Sequence, residues 1–504
     1  MCASLPWKLV FVAGCIHLGT SELTSAEPVQ FRVKDINPGP EGSYPGSRPE
    51  AYLAVDGTLF FSANDGTHGS ELWKSDGTTA GTTLVKDIHV EYYSFPQHFA
   101  SFDGRLLFTA TDGLETPNYE LWTSDGTEAG TFLVKDIKSS GGSYPDHMTA
   151  FNGLLFFEAE DDTHGRELWM TDGTEAGTVI AADINPTGGS GPSDLTVCGG
   201  ELFFSASDGT HGLEVWKTDG TQAGTVMVKD IRPGEDYSFP RELTHVNGVL
   251  FFSAGYGDRN LWVSDGTEAG TVMVKDINPS YTDEGPLRLT NVNGILFFIV
   301  DDGTHGYELW KSDGTEAGTM MVKEINPSPA EGYRPNWLTN VNGTLFFAAD
   351  DGTSGIELWK SDGTEAGTMM VKNISPAVGD SSPKWLTNVS GTLFFAANDG
   401  TYGIELWASN GTAGGTVMVA DINPSGSSLT GGGGLAFVND KLLFPADDGT
   451  TGVELWGVDL TLPAIPAVSD WGLVSMIVLL LGAAGFVLAK RQKKGTFWNV
   501  PFFY

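Results

Sequence analysis

Apolar residues fall in short runs separated by Gly- and Asp-rich corners, and four such runs make one unit that recurs along the chain. Residues 335–374 show the unit: PNWLTNVNGTLFFAADDGTSGIELWKSDGTEAGTMMVKNI. The first run, Trp337 to Val341, ends at Asn342-Gly343, a hairpin signal because both residues tolerate positive φ. The second, Leu345 to Ala349, ends at Asp350-Asp351-Gly352-Thr353. The third, Ile356 to Lys360, holds Glu-Leu-Trp and ends at Asp362-Gly363-Thr364; the fourth is Met369 to Ile374. The pattern predicts four short strands per unit. Leu345-Phe346-Phe347-Ala348-Ala349 is apolar on both faces, so that strand is covered on both sides.

The third-run tryptophans set the period. Trp73, Trp122, Trp169, Trp216, Trp262, Trp310, Trp359, Trp407 and Trp456 recur every 46–49 residues. A period of this length points to a propeller or a solenoid. Short runs dense in Gly and Asp exclude a helical solenoid, and a β-solenoid ranks second because its coils are usually shorter. Four-stranded sheets packed face to face around an axis give the double cover required. The last unit stops after Trp456 without a fourth run, while an orphan fourth run, Phe31 to Ile36, lies near the N-terminus. The expected fold is therefore all-β: a propeller of about nine four-stranded blades, closed by an N-terminal strand, with one C-terminal transmembrane helix. The repeated tryptophans serve the core of each blade.

Composition adds a partner class to exclude. The chain has 64 acidic and 28 basic residues, a formal net charge of −36. Phosphate recognition needs a basic surface, so no nucleic acid is expected as a partner.

The termini set the expected address. Residues 1–26 read as a signal peptide, with Lys8 before an apolar stretch and Thr24-Ser25-Ala26 as a cleavage site. Val12-Ala13-Gly14-Cys15 offers a competing lipoprotein reading at Cys15. Residues 27–462 carry the repeats and 463–471 a linker. Residues 472–489 form an uncharged span long enough to cross a membrane, and the basic 490–504 tail stays in the cytoplasm. The propeller is thus expected outside the cytoplasm, in the cell envelope. After cleavage only Cys198 remains, which leaves no partner for an intramolecular disulfide.

Glu-Leu-Trp-Lys-Ser-Asp-Gly-Thr at 71–78, 308–315 and 357–364 resembles the bacterial ELWxxDGT repeat family over roughly residues 30–460. Val215, Asn260 and Asn410 depart from its Leu, Glu and Asp, and the ninth unit lacks the DGT corner. The resemblance implies an exported repeat protein and carries no catalytic residue with it. Ile465-Pro466-Ala467-Val468-Ser469-Asp470-Trp471-Gly472, followed by the apolar span and basic cluster, resembles the IPTL-type C-terminal sorting segment of Gram-negative envelope proteins. Ala467-Val468 replaces its Thr-Leu, and residues 495–504 run past the basic cluster.

Candidate chemistry is sparse. Zinc spacings, HExxH, a P-loop, a nucleophile elbow and a dinucleotide fingerprint are absent from the sequence. His68, His164, His211 and His305 occupy the same turn in four units and read as turn residues. Paired aspartates at the second corner, Asp161-Asp162, Asp301-Asp302, Asp350-Asp351 and Asp447-Asp448, suit a calcium ion by ligand type, with backbone turn formation as the competing role. The segments entering each unit vary most, and carry Tyr44, Tyr92, Tyr93, Tyr144, Tyr237, Tyr281 and Tyr333. Tyrosine presents a flat apolar face and a hydroxyl, suited to sugar or protein contact. These features point to a non-catalytic binding, adhesion or structural scaffold, not an enzyme. Its expected partners are an envelope or extracellular polysaccharide or a surface protein, and the membrane through its anchor. The alternative is an envelope enzyme acting on polysaccharide through loop residues of the propeller.

Overall fold

Phe60 and Phe61 are neighbours in one strand and point into two different cores, which explains the doubly apolar runs. In the computed structural model Phe60 packs with Leu72, Val85, Leu106, Phe108 and Trp122, between the first and second sheets. Phe61 packs on the other face with Val33, Trp73, Leu443 and Leu455, between the last sheet and the first. The described residues are 29–38, 46–113, 118–234, 236–279, 285–328, 333–376, 379–430 and 434–461. The signal peptide, sorting segment, membrane span and basic tail expected at the ends lie outside them. Among the described residues no helix is long and apolar enough to cross a membrane.

Among the described residues, thirty-six strands form nine antiparallel four-stranded sheets. Blade 1 comprises Glu50–Val55, Thr58–Asn64, Ser70–Ser75 and Thr83–Lys86, paired in that order. Blades 2 to 8 repeat this order. First strands touch one another around the axis from blade 1 to blade 8, and the first strand of blade 9, Ala436–Val438, touches that of blade 1. The ring is closed as the sequence predicts. Gln30–Lys34 pairs beside the Trp456 strand, Val453–Asp459, and supplies the fourth strand of blade 9.

Repeated polar contacts fix the blades against each other. The fourth-strand lysines Lys34, Lys86, Lys135, Lys229, Lys275, Lys323 and Lys372 each donate to the carbonyl of a threonine in the next blade, at 2.7–2.9 Å. The DGT corner is an Asx turn: Asp76 Oδ1 accepts from the backbone N–H and hydroxyl of Thr78. Asn410, which departs from the repeat, accepts the same two bonds from Thr412. Asp56-Gly57 and Asn342-Gly343 have positive φ at both residues, as their hairpins require.

The third-strand glutamate is the unexpected core member. Glu71, Glu120, Glu167, Glu214, Glu308, Glu357, Glu405 and Glu454 are all buried. Each receives a backbone N–H from the segment entering the next blade; for Glu454 that segment is Ile36 to Ser47, next to the closing strand. In blade 5 the neutral Asn260 substitutes, accepting from the Ile277 N–H at 3.1 Å.

Candidate active site at the channel mouth

Each of the first eight blades begins with a proline, one intervening residue, and then a residue in the left-handed region. These are Ala51, His98, His147, Asp194, Glu242, Arg288, Trp337 and Trp385, with φ between +48° and +59°. The pairing of each first strand shifts register at this point, for example between Gln97 and Ala100 and between Asp146 and Thr149. The shift is a bulge, which re-aims a side chain out of the ladder. Left-handed backbone costs an L-residue roughly 1–2 kcal/mol, and backbone strain of this kind gathers at functional sites. Because first strands line the axis and begin beside the entering segments, the eight residues ring one mouth of the central channel. Adjacent first strands are tied there: the Thr149 and Thr196 hydroxyls donate to the carbonyls of Leu195 and Leu243, at 3.2 and 3.0 Å.

The strand cores and the corners repeat from blade to blade; this ring does not. Blades 2, 3 and 4 place His98, Asp146, His147 and Asp194 along one cavity of about 350 Å³, floored by Phe99, Met148, Leu195 and Thr196. His98 Nδ1 is 2.5 Å from Asp146 Oδ1, and the same oxygen accepts the His147 N–H at 2.7 Å. Burial acts to raise the Asp146 carboxyl, but the His98 ring and the His147 N–H outweigh it and hold it below the ordinary value. The hydrogen bond His98 makes to Asp146 raises the imidazole in turn. At Asp194 burial wins: the carboxyl is raised, against the opposing charges of His147 and Arg241. One cavity therefore holds two carboxyls shifted in opposite directions, the arrangement that separates a base from an acid.

The paired aspartates accept hydrogen bonds, mostly within their own turns. Asp161 accepts from the backbone of Thr163 and His164, and Asp162 from the hydroxyls of Ser139 and Ser140. Asp301 accepts from Gly303, and Asp302 from Thr304 and His305. Asp350 accepts from Gly352, Asp351 from Thr353 and Ser354, Asp447 from Gly449, and Asp448 from Thr450 and Thr451. Among the described residues no group of three or more His, Cys, Asp or Glu could hold a metal ion. His68, His164, His211 and His305 bond the aspartate of their own turn, at 2.7–2.8 Å.

The tyrosines of the entering segments lie on the same side as the ring. Tyr92 is exposed and meets His89 edge-on; Tyr93 stacks on Phe95, and Tyr237 on Phe239. Tyr144 is exposed beside Tyr119, and Tyr333 is half-buried. Tyr44 and Tyr281 lie outside the described residues. The entering segment is docked tightly on the second corner: a side chain at Gly69, φ +83°, would meet the Tyr92 carbonyl oxygen at 2.3 Å. Cys198 is buried, which pushes its thiol up to about 11 and leaves it unreactive.

No family model matches the chain, and no curated protein matches it. Solved structures that resemble it include a puromycin hydrolase, at 12% identity and TM-score 0.39, covering 82% of this chain and 60% of that one. Another comes from a study of two prolyl endopeptidases, at 14% identity and TM-score 0.40, covering 73% and 53%. A third is a Mycobacterium tuberculosis puromycin-hydrolyzing peptidase, at 9% identity and TM-score 0.37, covering 78% and 63%. The chain spans less than two thirds of the length of each. At such identities and scores none of their activities passes to this chain.

The non-catalytic scaffold expected from the sequence, and its description as no enzyme, are corrected on the geometry of the channel mouth, where His98, Asp146, His147 and Asp194 line one cavity. No recurring motif marks these groups: His98, Asp146, His147 and Asp194 sit at the entry of their first strands, where side chains differ from blade to blade. The enzymatic reading that replaces the scaffold rests on those groups.

Proposed function

We propose that the protein is an enzyme that cleaves its substrate hydrolytically at the channel mouth, with Asp146 as base and Asp194 as acid. The observation that carries this reading is the convergence of His98, Asp146, His147 and Asp194 from three successive blades on one cavity. Asp146, ionised and held by His98, takes a proton from the attacking water. Asp194, whose carboxyl burial raises above its ordinary value, gives a proton to the leaving atom. The bond to that atom breaks as the water oxygen bonds to the electrophilic centre, and one water is consumed per cleavage. His98 orients the base, and general acid–base catalysis of this kind contributes typically 10²–10⁴-fold. The exported, membrane-anchored address expected from residues 1–26, 472–489 and 490–504 belongs to the same proposal and puts this chemistry outside the cytoplasm.

The test is product release from soluble oligosaccharide and peptide libraries by the full chain, followed by mass spectrometry. Release by the native protein and its loss in Asp194→Asn support the proposal. Absence of release, or release that Asp194→Asn leaves unchanged, overturns it.

A further inference from the structure

The far arc of the same ring carries a different chemistry. In blades 7 and 8 the left-handed position is filled by Trp337 and Trp385, on first strands that touch each other. The tryptophans of the repeat itself are core: Trp359 and Trp407, in the same two blades, are each 5% exposed. Trp337 is 37% exposed. A bulky side chain thus sits in backbone that disfavours it and still faces solvent, where Ala51 fills the equivalent place in blade 1. Neither core packing nor turn geometry accounts for it. Trp385 is half-buried, with Lys384 Nζ 4.3 Å from its ring centre.

The polar groups around the indoles suit hydroxyl-bearing ligands. Arg288, one blade back, is exposed and makes no ion pair among the described residues. Tyr333, from the segment entering blade 7, lies near Asn336 and within the field of Arg288. A flat apolar face rimmed by donors and acceptors matches a pyranose ring, which is apolar on its faces and hydroxylated at its edge. Charge narrows the class. A protein of net charge −36 repels a polyanion, while Arg288 and Lys384 beside the indoles repel a polycation.

We infer that Trp337 and Trp385 form a stacking platform for an uncharged glycan, whose chain is the substrate presented to the Asp146 and Asp194 arc. This inference rests on the enzymatic reading for what the platform feeds, and stands apart from it for what the platform binds.

Calorimetric titration of the full chain with maltohexaose, cellohexaose, hexagalacturonate and a chitosan hexamer tests it. A neutral hexamer is expected to bind, and Trp337→Ala to weaken it about tenfold or more, as for an exposed aromatic anchor. Trp337→Phe should restore most of the affinity. Failure of both neutral hexamers to bind, tighter binding of a charged one, or affinity indifferent to Trp337→Ala overturns the platform. The two readings fail separately. Trp337-dependent binding with no product release from either library upholds the platform and removes the enzyme. Release that persists unaltered in Trp337→Ala upholds the enzyme and removes the platform.

Discussion

Ser94 gives both its backbone N–H and its hydroxyl to the buried carboxyl group of Glu71, at 2.9 and 2.6 Å. The Ile88 N–H reaches the same carboxyl at 2.8 Å. One side chain therefore clamps both ends of the segment that enters blade 2. Burial pushes Glu71 up to about 7, against the pull of these donors. When protonated, Glu71 can donate to Ser94 Oγ, whose own proton then turns to the Ser70 carbonyl 3.3 Å away.

That relationship sets how stability responds to pH. Glu71, Glu120, Glu214, Glu308 and Glu405 are all raised by burial to about 7 from 4.5. A carboxyl raised in the folded state contributes stability that is complete below its unfolded value and lost as pH rises through its folded value. His68, His98, His164 and His305, raised by hydrogen bonds to Asp65, Asp146, Asp161 and Asp302, act in the same sense above pH 6.5. The thermal midpoint should therefore fall steadily from about pH 5 to pH 8. Scanning calorimetry across that window checks it, and a flat or rising midpoint contradicts the assignment.

Substitution separates the clamp from its charge. Glu71→Gln keeps one acceptor oxygen, enough for the Ile88 or the Ser94 N–H but not for both, since these bond different carboxyl oxygens. It should cost less at pH 5 than loss of both acceptors and flatten part of the pH dependence. Glu71→Ala leaves buried donors unsatisfied and should cost about 1–3 kcal/mol. Equal losses for the two variants in chemical denaturation would show that charge, not acceptance, matters.

Closure by the N-terminal strand makes Val33 a core residue although it lies near the start of the chain. It is 1% exposed and packs with Phe61, Trp73 and Leu455. Val33→Asp places an uncompensated charge there and should cost about 3 kcal/mol or more. Val29, 56% exposed, offers the control, and Val29→Asp should be nearly silent. A comparable effect of both in limited proteolysis would contradict closure by this strand.

Strain at the ring predicts a gain on removing it. Arg288 is exposed and has φ +57°, so Arg288→Gly should raise the unfolding free energy by roughly 1 kcal/mol. Val197→Gly, in an exposed strand position without positive φ, should lower it. A loss at Arg288 equal to that at Val197 would remove the argument from strain.

The architecture was readable because it is written nine times. The tryptophan period, the Asn-Gly and Asp-Gly corners and the Phe-Phe pairs each reported the same blade, and the orphan run at Phe31 reported closure. The buried glutamates were not readable: Glu71 looks like any polar strand residue until Ile88 and Ser94 are seen to fold over it. The ring was missed for the opposite reason. Its members share only a place, two residues after a proline, and differ in chemistry, so a search for recurring side chains passes over them. Aligning the units on Pro96, Pro145 and Pro192 brings His98, His147 and Asp194 into one column; the φ values then show why that column is special.

The central claim is that Asp146 and Asp194 work as a base and an acid. It is tested most directly by the pH–rate profile of the native protein beside that of Asp194→Asn, on whichever substrate the libraries identify. The native profile should be bell-shaped. Its acid limb should follow Asp146, held below the ordinary carboxyl value, and its alkaline limb Asp194, raised above it. Asp194→Asn should lower kcat about 10²-fold or more and abolish the alkaline limb. An alkaline limb that survives the substitution with kcat intact would contradict the account.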